Sequence, residues 1–138
     1  MIAQQLANLT KKISVSIEAL EASFAPALTG AVPTGFFNQK IAEISPIIAD
    51  CVKAKLLVPP GDGLVKKSQF STIEDKLREF STEIFPVLEV ELNVYLTSPE
   101  PSTKATALGK IAKEVPGIIT NYISMKSQMK KVKEALRV

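Results

Sequence analysis

Histidine and tryptophan are absent from this sequence, and cysteine occurs once, at Cys51. Without histidine the chain lacks the commonest general base near neutral pH and the commonest metal ligand. A dinuclear carboxylate site of the helical-bundle kind needs Glu-x-x-His pairs, so that chemistry is excluded as well. A lone cysteine supports neither an internal disulfide framework nor a cysteine-based zinc cluster. No apolar run approaches the ~18 residues of a membrane-spanning helix. The opening stretch MIAQQLANLTKK has no basic region followed by an apolar one. A classical secretory signal is therefore not expected, and a cytoplasmic or virion location is. Strict apolar/polar alternation, the mark of half-buried strands, is nearly missing.

What remains is an apolar chain of modest charge: 138 residues, 46% hydrophobic, net +3, with a mean hydropathy of +0.16. That composition is too apolar and too weakly charged for disorder. A chain of this length buries roughly two thirds of its unfolded surface, enough for one core, so residues 1–138 are read as a single domain.

Apolar spacings of three and four dominate, which predicts an all-α fold. A first helix is expected from about Ile2 to Phe24, with Leu6, Leu9, Ile13, Ile17 and Leu20 on one stripe, ending near Pro26. A second is expected over 36–57, with Ile41, Ile44, Ile48 and Cys51 inward. Ser45-Pro46 inside it predicts a kink, or a fresh start with Ser45 as N-cap. Pro59-Pro60-Gly61-Asp62-Gly63 is a stop. A third helix is expected to open on Ser71-Thr72-Ile73-Glu74, an S-x-x-E capping box, to continue past Pro86, and to end at Ser98-Pro99.

The fourth helix, from about Thr103, has the cleanest pattern. Leu108, Val115, Tyr122, Met129 and Leu136 recur every seven residues, as do Ile111, Ile118, Met125 and Val132. Together they fill both seam positions of consecutive heptads, the geometry of helices packed lengthwise or of an assembly contact. Pro116-Gly117 keeps the phase, which predicts a bend and not a reversal. The expected architecture is a bundle of about four long amphipathic helices, kinked at prolines. Glu43-Ile44-Ser45-Pro46 and Glu83-Ile84-Phe85-Pro86 share the pattern E-I-x-P, a short echo consistent with two kinked helices.

Charge is segregated. Residues 68–103 hold two basic and seven acidic side chains, a net of −5, whereas residues 104–138 hold eight basic and two acidic, a net of +6. Either the acidic third helix and the basic fourth simply pair, or the basic end faces a polyanion. Lys126, Lys130, Lys131, Lys133 and Arg137 are the candidate contacts, each able to release counterions from a phosphate backbone. Fifteen of the seventeen basic residues are lysine, which acts as a point charge, and the face carries no interleaved aromatics. Any contact with double-stranded nucleic acid should therefore ignore sequence.

Catalytic patterns fare poorly. Gly61-Asp62-Gly63-Leu64-Val65-Lys66-Lys67-Ser68 resembles a phosphate-binding loop only superficially, since Lys66 stands where glycine is needed; a mobile basic loop is the plainer reading. The carboxylate pairs Glu79/Glu83 and Glu43/Asp50 are expected on solvent faces. Cys51 falls on an apolar face and is expected to be a buried structural thiol. No cofactor and no metal is expected.

The sequence thus points to a non-enzymatic structural subunit. It would self-associate into a larger coat- or capsid-like assembly, with a filament among the expected forms, and touch nucleic-acid backbone non-specifically through its basic C-terminal helix. Two alternatives stay open: a helical protein-interaction module (adaptor or chaperone), and a helical carrier of an apolar ligand.

Overall fold

The computed structural model of the chain describes residues 2–61 and 63–138. It is all-α, with no strand among the described residues. The elements are α1 (Ile2–Ala22), a short α2 (Ala25–Leu28), α3 (Phe36–Leu57), α4 (Lys67–Glu79), a π-helical turn (Phe80–Ile84), α5 (Phe85–Thr97) and α6 (Pro101–Leu136). α4, the π turn and α5 follow one another without a break, so four long rods result.

Each rod runs antiparallel to the next. Lys12 meets Asp50 at 3.3 Å, and Leu20 shares a cleft with Lys40 farther up, which sets α1 against α3. Lys55 meets Glu74 at 2.7 Å, while Glu89 reaches the start of α3, which sets α3 against α4–α5. Glu91 pairs with Lys110 at 3.7 Å, and Phe80 packs on Tyr122 with ring centroids 5.0 Å apart. Lys126 pairs with Glu21 at 2.9 Å, closing α6 onto α1. The result is an up-down-up-down four-helix bundle. Its lower end holds the start of α1, the end of α3, the 58–66 connection and the end of α6.

The bundle closes because each rod buries one stripe. In α1, Leu6, Ile13, Ile17 and Leu20 are buried and Leu9 half-buried; α1 stops at Ala22, short of Pro26, which instead sits in the first turn of α2. In α3 the inward face is rotated from the expected one: Phe37, Ile44, Ile47, Cys51 and Ala54 are buried, and Ile41 and Ile48 only half so.

The prolines behave in two ways. Pro46 and Pro116 lie inside unbroken helices, so Ser45 opens no new one. Each proline removes one hydrogen bond to the carbonyl four residues back. Those carbonyls belong to Ala42 and Ala112, both exposed, so water can satisfy them. Near Pro86 the chain responds with the π turn, in which the Phe85 N–H bonds the Phe80 carbonyl, five residues back. The extra residue rotates Phe85 inward beside Ile84. The two E-I-x-P copies therefore differ in structure.

α4 begins at Lys67, four residues before the expected capping box. Gln69 Oε1 accepts the Lys66 N–H at 2.8 Å and makes the cap itself. Glu74 is thereby freed from capping. It lies buried against α3, with the Lys55 ammonium at 2.7 Å and Arg78 Nε at 2.9 Å. Lys55, opposed by burial and assisted by Arg78, holds this carboxyl below the usual glutamate range. A depressed folded-state value stabilises the fold above the ordinary glutamate pKa of about 4.3, and the contribution is lost as pH falls through the lowered value. Denaturation midpoints followed downward through that window should fall more steeply for the native chain than for Glu74→Gln.

α6 is the longest element, 36 residues. Ile111, Ile118, Tyr122, Met125, Met129 and Val132 are buried. Leu108, Val115 and Leu136 are only half-buried, and Ala107 and Asn121 are buried instead. A straight helix drifts about 20° per heptad against a strict seven-residue repeat, so the repeat leaves the core line over this length.

At the upper end, Gly30 sits at φ +74°, and a Cβ there would overlap the Tyr95 ring. The Lys104 Nζ lies over that ring, 4.9 Å from its centroid. Gly30→Ala should cost about 2–3 kcal/mol in chemical denaturation, with part recovered in Gly30→Ala/Tyr95→Leu.

Candidate polyanion interface

Helical spacing decides where the five C-terminal cations stand. Lys126, Lys130, Lys133 and Arg137 are separated by 4, 3 and 4 residues, so they share one side of α6, whereas Lys131 falls on the other. Lys126, Lys130 and Lys133 line a cleft of about 280 Å³ facing Ser14, Ile17 and Glu18 of α1. Lys131 lines a groove of about 520 Å³ with Leu64, Lys66 and Gln69. Arg137 ends α6 in the left-handed region at φ +58° and is exposed.

Among the described residues, Lys126 is the one member of the five with a carboxylate within 4.0 Å, and that carboxylate is Glu21 of α1. The acidic stretch is engaged elsewhere. Glu74 pairs with Lys55 and Arg78, Glu79 with Lys76 and Glu91 with Lys110. Glu89 accepts backbone N–H groups of α3. Among the described residues, no carboxylate of the third rod lies within 4.0 Å of the five C-terminal cations.

The fold also gathers cations that no local pattern connects. Lys12, Lys53, Lys66 and Lys67 belong to the lower half that also holds Lys130, Lys131, Lys133 and Arg137. The Lys66-Lys67 doublet is visible in the sequence, but its partner Lys131 is 65 residues from Lys66. The α1 side of α6 is tempered by Glu18 and Glu21. The side holding Lys66 and Lys131 has Glu134 as the carboxylate lining its groove among the described residues.

Reactive groups are quiet. Burial, helped by Glu74 and Asp50, pushes the Cys51 thiol up to about 12, so it stays protonated near neutral pH. Burial likewise raises the Tyr122 hydroxyl. Asp50 is buried beside Lys12 and not on a solvent face, contrary to the expectation from spacing. No cluster of three or more potential metal ligands occurs among the described residues, and no helix is long and apolar enough to cross a membrane. No protein family, curated protein or solved structure matches the chain.

Proposed function

We propose that this chain works by association and not by catalysis. It is a helical subunit that packs with further copies of itself and presents its basic lower end to a row of phosphates, as on a nucleic-acid backbone, without reading sequence. The observation that carries this reading is the freedom of Lys130, Lys131, Lys133 and Arg137 from carboxylate partners among the described residues. A protein does not keep like charges together for stability, because self-repulsion opposes the compact state. Exposed Val15, Val87, Val90, Ile119 and Ile123 supply apolar surface for contacts between copies. The scarcity of arginine argues for backbone contact over base recognition.

The test is binding of labelled duplexes of two unrelated sequences across a salt series. Equal affinity for both is expected, falling steeply with salt. Replacing Lys126, Lys130, Lys131 and Lys133 by glutamine keeps good helix formers and should reduce the slope of log K against log salt by about 3. Lys126→Gln alone should change little, because Glu21 already offsets that charge. An unchanged slope in the quadruple variant, or no duplex affinity at low salt, would remove nucleic acid from the reading.

A further inference from the structure

The lower end of the bundle carries more than charge. Among the described residues, Leu56 and Leu64 are the most exposed large apolar side chains, at 78% and 79%. Leu56 stands one residue before the end of α3, and Leu64 lies in the connection that leads to α4. Leu56 borders an apolar groove of about 520 Å³ between α1 and α3, walled by Leu9 and Leu57 and rimmed by Lys12 and Lys53. Leu64 borders the groove that holds Lys66 and Lys131. Single exposed apolar residues are ordinary. Both leucines stand at this one end beside lysines, Leu56 on the α1–α3 side and Leu64 on the side where the connection meets α6, so a partner that covers the end as a whole must be apolar and anionic together.

A second copy fits poorly, because a two-fold contact through this end would bring the lysines of one copy, Lys53, Lys66 and Lys131 among them, against the lysines of the other. Duplex nucleic acid would satisfy the lysines but leave both leucines against sugar and phosphate. A bilayer bearing anionic headgroups satisfies both sets. Ammonium groups lie among the lipid phosphates, and short apolar side chains enter the boundary between headgroups and acyl chains. Lysine, a compact strongly hydrated charge on a flexible stem, suits that interface.

We propose that the lower end docks peripherally on an anionic lipid surface, with Leu56 and Leu64 inserted and Lys53, Lys66, Lys67 and Lys131 among the headgroups. This rests on the reading of that end as a polyanion contact and names the polyanion. Each lysine near the surface adds about fivefold to partitioning, and each inserted leucine about tenfold or more.

The test is co-sedimentation of the full chain with vesicles of phosphatidylcholine alone and of phosphatidylcholine mixed with phosphatidylserine, beside duplex binding at the same ionic strength. Binding to the mixed vesicles and not to the neutral ones is expected. Leu56→Gln/Leu64→Gln, both at exposed positions, should lose about a hundredfold in vesicle affinity while keeping any duplex affinity. Lys66→Gln/Lys67→Gln/Lys131→Gln should lose affinity for both probes. Equal binding to neutral vesicles, or unchanged vesicle binding by the leucine variant, would overturn the docking geometry. Duplex binding without vesicle binding would overturn the lipid assignment and leave the polyanion reading standing. Binding to neither probe would overturn both.

Discussion

Phe85→Ala should cost about 3–5 kcal/mol, read as a shift in urea midpoint at constant m. Phe85 is fully buried at the centre of an aromatic cluster drawn from three rods. Its ring centroid lies 5.1 Å from Phe80, 5.6 Å from Phe37 and 5.9 Å from Phe24, and Phe80 continues the chain of contacts to Tyr122 of α6. Truncation removes the transfer free energy of the ring, its stacked and tilted contacts with the neighbouring rings, and the filling of a site that neighbouring rods cannot collapse into. Phe85→Leu keeps most of the volume and should cost about 1.5 kcal/mol. Because Phe85 faces the core only through the π turn, the pair also reports on that turn. Equal, small losses in both variants would mean that the ring is not at the hub.

Glu89→Ala should cost about 3 kcal/mol, through hydrogen bonding and not through volume. Glu89 is buried, and its two oxygens accept the N–H of Gly35 at 3.0 Å and of Phe37 at 2.9 Å, with Asn38 at 3.3 Å. The first N–H groups of a helix have no partner within it. No side chain of α3's own N-cap serves them, so a carboxylate from α5 does, and its charge suits the positive end of the helix. Alanine would leave these donors without their acceptor in a poorly hydrated site. Glu89→Gln retains one acceptor oxygen and should lose about half as much. Amide hydrogen exchange at Phe37 and Asn38 separates this mechanism from general loosening, since those protons should exchange faster than α3 as a whole.

The features legible in the sequence are those decided locally. α3 runs over 36–57 as Pro and Gly punctuation indicated, and the apolar repeat places Ile111, Ile118, Tyr122, Met125, Met129 and Val132 of α6 in the core. Other features were decided across the bundle. Ser71 and Glu74 make a plausible capping box by spacing, yet Lys55 of the neighbouring rod takes the carboxylate and Gln69 takes the cap. Ile47 and not Ile48 turns inward because the α1 and α4 surfaces fix the rotation of α3. The service of Glu89 to α3 spans 52 residues to Phe37, with no local signal. The candidate site shows the same split. The cations at the end of α6 were evident from composition. Their division between two sides of the helix, and the arrival of Leu56, Leu64, Lys66 and Lys67 at the same end, required the antiparallel packing of four rods.

The central claim is that the chain acts by associating, and its native mass tests this most directly. Light scattering after size exclusion, before and after nuclease treatment and across a salt series, reads the species present. The expected result is a mass above the 14.9 kDa of one chain, concentration-dependent where copies meet, with any polyanion-bound share released by salt. A single species of one chain's mass at every concentration, salt and nuclease condition, with no added polyanion changing it, would contradict the account.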